Sequence, residues 1–88
     1  MARRDKRLER MRGNPRDWRI EEVEALCRSF EIDCDPPPGG GTHYTVGHHS
    51  QPDKPTVVAD RPVKSFYIKR LVSFVDKVQF WRSENDEG

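Results

Sequence analysis

Three histidines, His43, His48 and His49, fall close together in the middle of the chain. His43 stands directly after Gly39-Gly40-Gly41 and is flanked by Thr42 and Tyr44. Imidazole is the side chain whose charge ordinarily changes between about pH 5 and 8, so it can take or give a proton at neutral pH. RNA offers a matching reaction. Removing the proton of a 2′-hydroxyl lets that oxygen attack the adjacent phosphorus. Protonating the 5′-oxygen helps the same displacement from the other side. Either role contributes about 10²–10⁴-fold and requires no metal. A lone histidine on a strand is more often an ordinary surface residue, so its surroundings decide.

The neighbours of His43 extend the idea. Gly41 and Thr42 precede it and Tyr44 follows. Arg61 and Lys64 flank Pro62 and can reach the same face. Lys64, Lys69 and Arg70 lie at the start of a predicted helix, where free N–H groups and lysines together suit a phosphate. Tyr67 falls off that helix's main apolar stripe and either stacks on a base or covers the helix edge. Thr42, Tyr44, Lys64 and Tyr67 all stay open as the partner of His43. His48 and His49 are adjacent, so on a strand they point to opposite faces. Adding Cys34 gives no ligand-pair spacing for zinc, and no metal or cofactor is expected. Gly39-Gly40-Gly41 lacks the lysine and following helix of a phosphate-cradling loop.

These residues need a scaffold. Ile20, Val23, Leu26, Cys27 and Phe30 recur at three-to-four spacing and predict a helix over 20–30, with Glu21, Glu22 and Glu24 in its first turns. Trp18 precedes it and packs back. Residues 31–35 alternate and predict a strand. Pro36-Pro37-Pro38 and the glycines make a hairpin loop. Residues 42–48 predict a second strand, with Tyr44 and Val46 on one side and His43, Thr45 and Gly47 on the other. Residues 56–59 predict a third. Ile68, Leu71, Val72, Val75 and Val78 predict a helix over 65–80, with Ser65 as N-cap. The result is an α+β fold in α-β-β-β-α order, a three-stranded antiparallel sheet with both helices on one face. This is the layout of a double-stranded-RNA-binding domain. It leaves the sheet face that carries His43 uncovered.

With 88 residues, one small domain with a thin core is expected. Residues 1–14 read as a flexible basic arm or loose helix, 15–82 as the domain and 83–88 as a disordered tail. Charge is segregated. Residues 1–19 carry eight Arg/Lys against three Asp/Glu, whereas residues 20–35 carry one against six. The basic arm suits a polyanion or is simply a solvated tail. No run approaches the roughly 20 apolar residues of a membrane span, and a cytoplasmic protein is expected. Cys27 and Cys34 occupy apolar positions and read as free thiols.

Three segments carry a resemblance. NPRDWRIEEVEALCRSF, PPPGGGTHYTVGHH and DRPVKSFYIKRLVSFVDKV together resemble the HicA family of prokaryotic toxins, over about three quarters of the chain. The resemblance implies an endoribonuclease that cleaves mRNA, arrests growth and is neutralised by a HicB-type antitoxin. It implies that His43 is the catalytic histidine and that the fold is double-stranded-RNA-binding-like. Separately, the free chain is expected to be a monomer.

Overall fold

The computed structural model describes residues 2–85, with side chains from Lys6 onward. Its elements are α1 (Ala2–Gly13), α2 (Ile20–Ser29), β1 (Asp33–Asp35), β2 (His43–Gly47), β3 (Thr56–Val58) and α3 (Ser65–Asn85). The strands form one antiparallel sheet in the order β1-β2-β3. The domain is therefore α+β with three helices, one more than the pattern predicts.

α1 corrects the expected flexible arm. Leu8 and Met11, the only large apolar residues there besides Met1, are both buried in the core. Arg12 ties the helix to α3 through a two-pronged bond to Asp76, at 2.7 and 3.0 Å. That bond, with a second to Glu9, holds the guanidinium's pKa above its ordinary value. Arg10 lies over the Trp18 ring, 5.5 Å from its centroid. Two apolar anchors and a bidentate ion pair suffice to dock a helix whose mean composition is strongly polar.

α2 begins where the Arg19 backbone N–H donates to Glu22 Oε1 at 2.8 Å. It ends in a Schellman turn. Ile32 N–H donates to the Cys27 carbonyl and Glu31 N–H to that of Arg28, with Glu31 in the left-handed region at φ 59°. Ile32 is thereby folded into the core beside Leu26 and Cys27. Val23, Leu26, Cys27 and Phe30 form the buried face as the spacing predicts. The triple glycine performs the reversal between β1 and β2, with Gly39 and Gly40 at φ 77° and 83°.

α3 is longer than predicted, running to Asn85, so residues 83–85 are helical and residues 86–88 lie outside the described ones. The first long-period bond runs from Ile68 N–H to the Lys64 carbonyl, so Lys64, not Ser65, holds the cap position. Ile68, Leu71, Val72, Phe74, Val75 and Val78 are buried against the sheet and the other helices. No helix among the described residues is long and apolar enough to cross a membrane.

Candidate active site on the open sheet face

Register decides which side chains share the open face. Asp33 stands opposite Gly47 and Asp35 opposite Thr45. Thr45 stands opposite Thr56, and His43 opposite Val58. Directly opposed residues point the same way, so these seven share one face. Val46, Val57 and Cys34 occupy the other, against the core. His43, Thr45, Asp33 and Asp35 are exposed.

His43 is the first residue of β2, and its position is fixed by backbone rather than by packing. The Ala59 N–H donates to the Thr42 carbonyl at 2.7 Å, pinning the start of β2 to the end of β3. The imidazole Nδ1 lies 3.4 Å from Thr42 Oγ1. With Nδ1 held by that hydroxyl, Nε2 is left for a substrate.

Beyond Ala59 the chain turns through Asp60 and Arg61. Val63 then donates to the Trp18 carbonyl at 2.8 Å, closing a bridge between residues 18 and 63. The bridge lays Arg61 and Pro62 alongside Asp17 and Arg19. These four residues line a cleft of about 290 Å³. Two guanidiniums face one carboxylate there, an arrangement that favours an anion. Arg61 sits three residues past Val58, the partner of His43, so the cationic cleft and the imidazole belong to the same end of the sheet.

At the other end of β2, the Lys54 side chain lies across Gly47. A Cβ there would meet Lys54 Cγ at 3.7 Å and Nζ at 3.9 Å. Gly47 is four residues from His43, about 13 Å along a strand. Lys54 therefore places its ammonium at the far end of the strand from His43.

No family model, curated protein or solved structure matches the chain.

The sequence-predicted residues divide accordingly. Gly41, Thr42 and His43 are consecutive at the head of β2, while Arg61 lines the separate cleft with Asp17, Arg19 and Pro62. Lys64 is exposed at the start of α3, just past the bridge to Trp18. Tyr44 lies on the strand face opposite to His43, paired with Val57 and half-buried. Tyr67 is half-buried against the core, its ring 4.1 Å from that of Phe66. Sequence reasoning missed Arg19 and Lys54. Arg19 is read in sequence as part of a helix lead-in, and only the bridge of residues 18 and 63 turns it into a cleft wall. Lys54 is read as a turn residue, and only a glycine in the opposed strand lets it lie flat on the sheet. It also missed where the acids go: Asp33 and Asp35 stand on the same face as His43. Among the described residues no group of three potential metal ligands lies together.

His48 and His49 form a second feature. Their rings stack at 4.3 Å, and both meet the edge of Trp81 in α3, at 5.6 and 5.0 Å. Stacking corrects the expectation of opposite faces: β2 ends at Gly47, and strand alternation ends with it. His48 is buried. Its Nδ1 accepts the Ser50 backbone N–H at 3.1 Å and lies 2.8 Å from Ser50 Oγ. Desolvation, then the proximity of His49 and Arg82, hold its pKa below the ordinary value of 6.5, against the opposing pull of Asp33 and Glu31.

Proposed function

We propose that this chain is a metal-independent endoribonuclease of HicA type, a toxin that cleaves mRNA with His43 as its proton-transfer group. The fold is then the double-stranded-RNA-binding-like one, with α1 added to its helical layer. The single observation that supports this reading best is the exposed imidazole at the head of β2, with its Nδ1 3.4 Å from the Thr42 hydroxyl.

Arg61 and Arg19 hold phosphates beside the scissile one, and Nε2 of His43 faces the ribose or the leaving oxygen. As a base, His43 takes the 2′-hydroxyl proton, the 2′-oxygen bonds to phosphorus and the bond to the 5′-oxygen breaks. The products are a 2′,3′-cyclic phosphate and a 5′-hydroxyl. As an acid, the same ring protonates the departing 5′-oxygen. RNA approaches from the Arg61 side, because Asp33 and Asp35 repel phosphate from the β1 side. The partner that silences the toxin in the cytoplasm is a HicB-type antitoxin that occupies this face.

The decisive experiment is incubation of purified protein with RNA, comparing wild type with His43→Ala. Cleavage by wild type that leaves cyclic phosphate ends, lost in the variant with an unchanged melting curve, supports the reading. Full cleavage by His43→Ala overturns it. A second reading, a binding module without chemistry, draws on the two carboxylates, Asp33 and Asp35, that share the sheet face with His43. It predicts intact RNA with both proteins.

A further inference from the structure

The outer face of α3 lies outside that site. Phe66, Arg70, Ser73, Lys77 and Phe80 recur at alternating four- and three-residue spacing, so they form one stripe opposite the buried face, and all five are exposed. Phe66 and Phe80 are 49% and 68% exposed; among the described residues they are the two large apolar side chains left in solvent. Between the two rings the stripe is cationic. Arg70, Ser73 and Lys77 line a pocket of about 410 Å³ together with Asp53 and Lys54 from the β2–β3 connection. That connection is held in place: the Val46 N–H donates to the Pro55 carbonyl at 2.9 Å, and the Gln51 side-chain amide donates to the Lys77 carbonyl at 3.4 Å. Three cations thus face one carboxylate. Asp53 is committed to Lys77, Oδ2 to Nζ at 3.2 Å, and among the described residues neither Lys54 nor Arg70 has a carboxylate partner. Arg70 lies instead over the Phe66 ring, 5.4 Å from its centroid. Past Lys77 the pocket continues into a second hollow of about 470 Å³ beside Phe80 and Trp81, with Ser73 and Lys77 belonging to both. Of the acids there, Asp76 is held by Arg12 at 2.7 Å and Glu84 stands at the far end.

We propose that this trough binds single-stranded nucleic acid, with a backbone phosphate between Lys54, Arg70 and Lys77 and a base stacked on Phe80. No bond is broken there and His43 takes no part, so the surface stands whether or not the chain cleaves RNA.

Each part of the ligand answers one part of the trough. Two cations without carboxylate partners, a third shared with Asp53 and the Ser73 hydroxyl suit a phosphate. An acidic peptide would satisfy the cations equally but gives the exposed rings nothing to pack on. A base does, because every base has a π-face and stacking on an aromatic ring tolerates any sequence. The planar guanidinium of Arg70, already stacked on Phe66, is a second such surface. Lys77 and Phe80 are nearly one turn apart, about 4.5 Å along the axis, so one nucleotide can span them. A duplex keeps its bases stacked on one another and offers Phe80 none.

The test is equilibrium binding of the full-length chain to a 2′-O-methyl uridine oligonucleotide of about ten residues. This probe has no free 2′-hydroxyl to act as nucleophile, so it reads binding alone. Wild type should bind it with an affinity that falls as salt rises. Lys54→Ala and Arg70→Ala should each weaken binding and each reduce the slope of log affinity against log salt by about one. Phe80→Ala should weaken binding about tenfold with the slope unchanged. All three side chains are exposed, and the melting temperatures should not move. The same strand paired to its complement should bind wild type no more tightly than it binds Phe80→Ala. The proposal fails if Phe80→Ala binds as wild type does, if polyglutamate of equal charge competes as well as the oligonucleotide, or if Arg19→Ala with Arg61→Ala removes binding while the α3 variants do not. A chain that binds the probe through α3 yet leaves RNA intact sustains this surface and sinks the nuclease reading, so the two fail separately.

Discussion

His43 and His48 are five positions apart, yet they occupy opposite physical situations. His43 stands on a strand with solvent over its ring and one weakly placed hydroxyl on Nδ1. His48 stands where the strand has ended, buried between a second imidazole and an indole, with a backbone N–H committed to its Nδ1. The first can be brought near a substrate without disturbing any buried contact. The second cannot change its proton without disturbing its packing. An imidazole is available for chemistry when register, not packing, holds it.

Exchanging each ring for a methyl group should break the comparison most sharply. His43→Ala should lower RNA cleavage by about 10²–10⁴-fold while its melting temperature stays within the range of a surface substitution, about 0.5 kcal/mol. A melting temperature that falls along with activity would mean that the ring is structural after all.

His48→Ala should do the reverse. It removes the ring that Trp81 packs on and leaves the Ser50 N–H without its acceptor, a loss of about 1–3 kcal/mol by denaturant unfolding. Cleavage measured well below the melting temperature should be unchanged. A His48→Ala protein of wild-type stability would show that α3 does not depend on this cluster for its last turns.

How much of this contrast is legible in the sequence depends on the range of the contacts involved. The alternation of Tyr44 and Val46 against His43 and Thr45 is local, and it already places the His43 ring on the open face. The periodic stripes of α2 and α3 are local too, and the buried residues match them, with Phe74 added and Ile20 only half-buried. What escapes is set by pairs far apart in the chain. α1 reads as a tail because its two apolar residues find partners only in the assembled core, and Arg12 finds Asp76 64 residues away. Arg19 acquires its role through the bridge of Trp18 to Val63. His48 and His49 read as strand neighbours because nothing local says that β2 stops at Gly47. The continuation of α3 to Asn85 sets Trp81 against those rings, a contact that helical periodicity does not contain.

Arg61 tests whether the cleft belongs with His43 or stands apart from it. Arg61→Ala should lower kcat/KM for RNA about tenfold and reduce the salt dependence of binding by about one phosphate contact, with the product ends unchanged. If activity falls while the salt slope stays the same, Arg61 positions β3 rather than the substrate. Combining Arg61→Ala with Arg19→Ala should then be strongly non-additive, since the two line one cleft.

The smallest expected effect is also the most specific to the buried ring. Because the folded pKa of His48 lies below 6.5, the unfolded chain binds the proton more readily than the folded one. Stability from this group is therefore complete above about pH 6.5 and declines as pH falls from there through the folded pKa. The geometry points the same way: a proton on Nδ1 would face the Ser50 N–H that it now accepts. Arg82 and His49 strengthen the decline, whereas Asp33 and Glu31 moderate it. The melting temperature of wild type should therefore drop between about pH 7 and pH 5.5. His48→Asn supplies a carbonyl oxygen to the same N–H and does not titrate, so its curve should be flatter over that window. His43→Ala should keep the wild-type curve shape, because it leaves the buried ring of His48 and its Ser50 bond untouched. If His43→Ala flattens the curve and His48→Asn does not, the assignment of the buried and the open histidine is reversed.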